Sequence, residues 1–152
     1  MPRLPRGNAE ATLDAKGRVA VPAKFRAMFE GKHLVLWEPL GQDNPYLVLT
    51  SDEFIDAAIE RELKAVPKER RVAFNRSLST RMEDIELDTA SRFVINEKHN
   101  EKTGFVRGEK LFLIANKTYI EIWSLQAWKD YDAENQQEDL MLLDYTPDGD
   151  SV

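Results

Sequence analysis

Asp14 and Arg18 stand four residues apart around Lys16-Gly17 in TLDAKGRVAVPAKFR (12–26), and the spacing returns as Asp88 and Arg92 in ELDTASRFVINEK (86–98). An aspartate at the head of a tight turn accepts backbone N–H bonds, and a glycine late in the turn takes positive φ without a Cβ penalty. The arginine that follows opens a strand with a planar, permanently charged fork. Two chemistries are open to that fork. It can grip a phosphate or the edge of a guanine in a major groove. It can equally close an ion pair with its own aspartate and set the register of a hairpin. Spacing alone leaves both open.

Other chemistry is thinly represented. The two histidines, His33 and His99, have no ligand partner at helical spacing, so no metal site is expected. Asp43, Asp52-Glu53 and Glu83-Asp84 fall at turns or helix starts, where capping accounts for them. Neither a glycine-rich phosphate loop nor a nucleophile elbow is present. The chain has no cysteine, which removes disulfides and thiolate chemistry and suits a reducing cytoplasm. Catalytic residues, cofactors and a small-molecule substrate or effector are therefore not expected, and an enzyme is disfavoured. Trp37, Trp123 and Trp128 sit in strand or helix positions that suit a core better than a stacking platform.

Charge is distributed in blocks. The net charge of −6 speaks against a polyanionic partner until it is resolved along the chain. Residues 1–36 carry seven basic side chains against three acidic ones, and residues 61–81 carry seven against two. Residues 37–60 hold six acids and no base, and residues 132–152 hold seven acids and no base. A local basic patch attracts phosphate whatever the total, because screening limits distant charges to about 8 Å at physiological salt. Lys68, Arg70, Arg71 and Arg76 are candidates for backbone contact on this ground, or else a solvated helix face.

The elements that must position these residues follow from periodicity and punctuation. Residues 9–13 and 18–21 alternate and flank the turn DAKG, which predicts a hairpin with Val19 and Val21 on one face and Arg18 and Ala20 on the other. Pro22 opens a short helix, AKFRAMFE, that Gly31 ends. LVLWE (34–38) and YLVLT (46–50) read as strands. Thr50 with Glu53 predicts a capped helix bearing Phe54, Ile55, Ala58, Ile59 and Leu63 on one face. Pro67 interrupts it, and a second helix runs over 68–79. The order then restarts: a strand at 85–87, the turn DTAS, a strand at 92–95, strands at 110–115 and 119–123, and a helix over 124–131. Asp14 matches Asp88 at an offset of 74, and Tyr46 matches Tyr119 at 73, which marks an internal duplication. The tail from 132 is acidic and disordered by composition, apart from the apolar LMLLDY. No apolar run is long enough to span a bilayer, and the N-terminus lacks the apolar segment of a signal peptide, so no membrane partner is expected.

TLDAKGRVAVPAKFR, KERRVAFNRSLST, ELDTASRFVI and YIEIWSLQAWKDY together resemble the MraZ family of bacterial transcriptional regulators over about residues 7–131. The resemblance implies an α+β fold of two tandem AbrB-like swapped-hairpin β units. One chain would form a pseudo-two-fold β-barrel with peripheral helices. The units would be 8–55 and 82–126, with a helical connector at 56–81, a last helix continuing to about 131, and the flexible tail 132–152. It implies a ring-like homo-oligomer in the cytoplasm, associated with the nucleoid. It further implies binding to direct repeats of double-stranded promoter DNA upstream of cell-division and cell-wall genes, its own included, mainly as a repressor. By position, Arg18 and Arg92 are the implied readers, Lys16, Lys24 and Arg26 the phosphate contacts, and Asp14, Gly17 and Asp88 the residues that hold the turns. The second unit departs from the pattern, with Ser91 for Gly17 and Asn96 for Pro22, so a reshaped turn and short helix are expected there. The competing reading is an oligomeric scaffold or AbrB-type antitoxin with structural arginines and a partner-binding tail.

Overall fold

Strands that alternate apolar and polar side chains can bury one face, and this chain repeats that pattern in both halves. The computed structural model describes residues 6–39 and 46–135. Its strands are β1 (Asn8–Thr12), β2 (Arg18–Ala20), β3 (Leu34–Trp37), β4 (Tyr46–Ser51), β5 (Met82–Ile85), β6 (Arg92–Val94), β7 (Lys110–Asn116) and β8 (Tyr119–Ser124). Its α-helices are α1 (Asp52–Ala65), α2 (Arg71–Ser79), α3 (Glu97–Thr103) and α4 (Leu125–Glu134), with 3-10 helices at Ala23–Phe29 and Lys68–Arg70. The architecture is α+β with antiparallel sheets.

The arms of the first turn do not pair with each other, contrary to the simple hairpin expected from residues 9–13 and 18–21. β1 pairs with β7 of the other half, and β2 pairs with β6, with Arg18 opposite Val94 and Ala20 opposite Arg92. Six strands form one sheet in the order β1-β7-β8-β4-β3-β5, and β2 with β6 forms a separate ribbon. Exchanging the halves, β1 for β5, β3 for β7 and β4 for β8, leaves that order unchanged. The duplication read from the sequence is thus also a duplication of pairing. The described strands make a sheet with β1 and β5 at its edges plus a ribbon, rather than a closed barrel.

The ribbon is fastened to the sheet by its apolar face. Val19, Val21, Phe93 and Ile95 are buried together with Leu13, Phe25, Phe29, Leu36, Leu47, Leu49, Leu111, Leu113, Ile120 and Ile122. The opposite face of the ribbon carries Arg18, Ala20, Arg92 and Val94, the last left 54% exposed. α4 is anchored by rings: Trp128 stacks on Phe112 at 5.6 Å and meets the edge of buried Trp123 at 5.3 Å. Trp123 and Trp128 thus serve packing, as expected.

Several boundaries move. Ser51, not Thr50, caps α1, accepting from the Phe54 N–H at 3.3 Å, while the Thr50 hydroxyl donates to the Thr118 carbonyl across the sheet at 3.1 Å. The helix expected over 68–79 begins as a 3-10 turn after Pro67. The strand expected at 85–87 lies earlier, at β5, where it meets β3. α4 runs on to Glu134, so residues 132–134 of the expected tail are helical, and residues 136–152 with LMLLDY lie outside the described residues. Asp43 also lies outside them.

The short helix of the second half is reshaped, as its sequence suggested. Asn96 caps α3 by accepting from the His99 N–H at 3.0 Å, and Gly104 ends it in the left-handed region at φ 79°. His99 is only 2% exposed; its Nδ1 bonds the Glu38 carboxylate at 2.9 Å, and its Nε2 lies 3.2 Å from the Glu83 carboxylate without hydrogen-bond geometry. That cluster ties α3 to the end of β3 and to β5, a role that His99 shows no sign of in the sequence.

Candidate nucleic-acid interface

Each turn is built around one carboxylate. Asp14 Oδ1 accepts from the backbone N–H groups of Lys16 and Arg18, both at 2.8 Å, and Asp14 Oδ2 accepts from Arg18 Nε at 2.8 Å. The second turn repeats this bond for bond: Asp88 Oδ1 accepts from Ala90 N at 2.8 Å and Arg92 N at 2.9 Å, and Oδ2 from Arg92 Nε at 2.9 Å. Each turn is then stitched to the other half's strand. Ile95 N–H donates to Gly17 O at 2.9 Å, and Val21 N–H donates to Ser91 O at 2.8 Å. The result is one ribbon with two arginines at diagonal positions of a single face.

The sequence left open whether these arginines are ion-paired or free to read a ligand. The geometry joins the two readings. Each aspartate engages only the Nε edge of its arginine, and among the described residues no hydrogen bond from the terminal nitrogens is found within the chain. Arg18 and Arg92 keep 29% and 35% of their side-chain surface exposed, enough to present the outer fork. The ion pair aims the arginine rather than consuming it. An exposed pair of this kind adds little stability by itself.

The carboxylates respond as such bonding requires. Asp14 is lowered to about 2, first by the Arg18 backbone N–H and then by the Arg18 guanidinium and the Lys16 N–H, against partial desolvation. Asp88 is lowered too, with the Arg92 backbone N–H as the leading cause. A carboxyl whose folded value lies below its unfolded one stabilises the fold fully above the unfolded value and loses that contribution as pH falls. The window for Asp14 therefore runs from about 3.8 down to about 2. NMR titration of the Asp14 side-chain carbon is expected to give a midpoint near 2, and a midpoint near 3.8 contradicts the bonding described.

The second turn is not reshaped, contrary to what Ser91 suggested. Ser91 takes φ 59°, close to the 79° of Gly17, because the Asp88 bonds and the Val21 N–H fix the same backbone path. A left-handed non-glycine residue costs about 1–2 kcal/mol, and glycine gives back part of that through the entropy it loses on folding. Gly17→Ala is expected to lower stability by about 1 kcal/mol, and Ser91→Gly to raise it by up to about that amount. Denaturant midpoints of the two variants check the opposite signs.

The remaining expected contacts flank the ribbon. Lys16 is exposed on the first turn. Lys24 and Arg26 lie on the 3-10 helix Ala23–Phe29, where the Lys24 ammonium donates to Asn8 O and Arg26 Nε donates to Val21 O at 2.9 Å. Both therefore have an internal partner and remaining donors. Lys68, Arg70, Arg71 and Arg76 lie on the connector around α2, and Arg71 Nε donates to Val66 O at 3.2 Å. Arg107 is a site residue that the sequence did not mark. It reaches from the loop before β7 to Ala15 O at 3.2 Å, and a lone arginine in a loop carries no pattern that would have found it. Among the described residues, no group of three or more potential ligands is placed to hold a metal ion. No helix among them is long and apolar enough to cross a membrane.

A family model described as "MraZ protein, putative antitoxin-like" matches residues 4–73. The chain is 35% identical over 127 residues to "Transcriptional regulator MraZ" of Caldanaerobacter subterraneus subsp. tengcongensis, covering 82% of this chain and 84% of that protein. It is 33% identical over 133 residues to the protein of that name in Corynebacterium efficiens, covering 86% and 87%. To that of Corynebacterium jeikeium it is 30% identical over 132 residues, covering 87% and 89%. The chain belongs to the MraZ family.

Proposed function

We propose that the chain is a non-enzymatic, sequence-specific DNA-binding transcriptional regulator, and that the β2–β6 ribbon is its reading element. The observation that carries this is the pair of aspartate-aimed arginines on one ribbon face, whose terminal nitrogens make no hydrogen bond among the described residues. A two-stranded ribbon fits a B-DNA major groove, and an arginine fork there can bond the O6 and N7 of guanine. Lys16, Lys24 and Arg26 supply phosphate contacts beside it, and the remaining basic residues of the connector add to the local positive field.

The names of the relatives support regulation of transcription. Family resemblance adds the finer reading. It makes the chain an AbrB-like swapped-hairpin protein that assembles as a ring and acts mainly as a repressor at the nucleoid in the cytoplasm. Its targets are direct repeats in the promoter of a cell-division and cell-wall cluster that includes its own gene. Several ribbons on one assembly gain avidity on repeated sites through linkage rather than through any single tight contact.

Labelled DNA from upstream of the protein's own gene, challenged with unlabelled specific and scrambled duplexes, tests this reading. Binding that the scrambled duplex fails to displace is expected. Equal displacement by both duplexes contradicts sequence-specific recognition.

A further inference from the structure

The outer face of the ribbon holds four side chains in two cross-strand pairs, Arg18 opposite Val94 and Ala20 opposite Arg92. Val94 is the one without a role so far. It is a branched apolar side chain left 54% exposed, while Val19 on the inner face is fully buried. A single exposed valine on a protein surface needs no explanation, and Val72 and Val106 are others in this chain. Val94 differs from them by its neighbours.

The register sets it against Arg18. Hydrogen bonds of an antiparallel ladder join alternate residue pairs. Ile95 N–H donates to Gly17 O at one end of the ribbon, and Val21 N–H donates to Ser91 O at the other. Arg18 with Val94 and Ala20 with Arg92 are therefore the non-bonded pairs, whose side chains stand closer together. Cβ atoms in such pairs lie about 4.5–5.5 Å apart. Arg18 and Val94 thus rise from the ribbon side by side. The duplication supplies a comparison, because the offset of 74 that matches Asp14 to Asp88 also matches Ala20 to Val94. Beside Arg92 the equivalent place holds only the single methyl of alanine.

We infer that Val94 is a specificity-determining residue that selects a thymine on the base pair next to the guanine read by Arg18, by packing on the thymine C5 methyl. The inference rests on the DNA reading proposed above. Of the groups that base edges present in the major groove, the thymine methyl is the apolar one. Successive base pairs are about 3.4 Å apart, so a side chain rooted about 5 Å from Arg18 falls over the neighbouring pair. Contact there removes both apolar surfaces from water, which for one methyl is worth about four-fold in affinity. Adenine or cytosine in the same place presents an amino donor, and valine has no acceptor for it. At the other end of the face Ala20 is too short to make a comparable demand.

A thermodynamic cycle between the methyl and the side chain tests the inference. Anisotropy titrations compare wild-type protein and Val94→Ala on cognate duplexes in which thymines are replaced, one position at a time, by deoxyuridine. That change removes the C5 methyl and leaves pairing and phosphates in place. The guanine read by Arg18 is located beforehand as the one whose 7-deaza substitution weakens wild-type binding but not that of Arg18→Ala. Deoxyuridine next to that guanine is expected to weaken wild-type binding about four-fold. For Val94→Ala the loss is expected to be less than about two-fold, because the variant makes this end of the face like the Ala20 end. Effects of deoxyuridine on the duplex itself are common to both proteins and cancel in the cycle. Denaturant midpoints recorded alongside show whether the fold is kept. A core without thymine beside that guanine overturns the inference and leaves the DNA reading standing. So does a wild-type chain indifferent to deoxyuridine there, or a folded Val94→Ala chain as sensitive to it as wild type. A wild-type chain that scrambled duplex displaces as well as cognate overturns the DNA reading itself, and this inference with it.

Discussion

Arg18→Ala is expected to bind its cognate site with a loss of about 1–3 kcal/mol in discrimination, while binding to random DNA falls much less. The difference arises because Arg18 is held at its Nε edge by Asp14 and presents its outer fork from the ribbon. Truncation removes the base-edge contact but leaves the phosphate contacts that govern non-specific binding. Arg92→Ala is expected to act in the same direction, since Asp88 aims it through the same bonds. Neither variant should unfold the chain, because both arginines lie on the open face of the ribbon and their ion pairs are part exposed. An Arg18→Ala protein that binds cognate repeats unchanged, or that loses its oligomer and melts early, assigns the arginine to structure and favours the scaffold or antitoxin reading.

Phe93→Ala is expected to cost about 3–5 kcal/mol of stability, the range for deleting a buried phenylalanine side chain. Phe93 lies opposite Val19 in the ribbon and is 1% exposed. It therefore backs both arginines at once, and its loss undoes the packing that holds a short two-stranded element against the sheet. Isolated ribbons of this length are marginal in water, so the core beneath this one supplies its persistence. Val94→Ala, one residue along and on the outer face, is the matched control and should change stability by less than about 0.5 kcal/mol. Denaturant unfolding of the two variants at equal protein concentration separates these outcomes. Equal effects contradict the facing assigned to β6.

The parts of this architecture visible in the sequence were those written in local chemistry. Asp14 and Asp88 announce turns because an aspartate side chain can satisfy backbone donors a few residues on, and both do so. Val19 and Val21 announce a buried face by period two, and both are fully buried. Pairing across the halves is a different matter. Nothing local to residues 9–13 distinguishes a partner four residues away from one in β7, because the same alternating edge can pair with either. The duplication hints at exchange, since two like turns can satisfy each other's strands, and beyond it only the family resemblance pointed to swapped hairpins. Ser91 misled for a related reason. A propensity argument weighs the residue alone, while the structure sets it between Asp88 and Val21, whose hydrogen bonds outweigh the cost of its positive φ. Thr50 was the cap expected from the sequence, and its hydroxyl is taken up instead by the cross-sheet bond to Thr118, which lies 68 residues away in sequence, leaving Ser51 to cap the helix. Arg107 and the buried His99 cluster were illegible because each draws its meaning from residues far along the chain.

The central claim is that arginines on the β2–β6 ribbon read guanine edges in a major groove. The most direct test is binding to cognate duplex in which guanines are replaced, one position at a time, by 7-deazaguanine. This change deletes the N7 acceptor and leaves base pairing and phosphates in place. Wild-type protein is expected to lose affinity at the guanines facing the ribbon, and Arg18→Ala is expected to be insensitive at the position that Arg18 reads. Undiminished wild-type binding at every guanine would contradict the account.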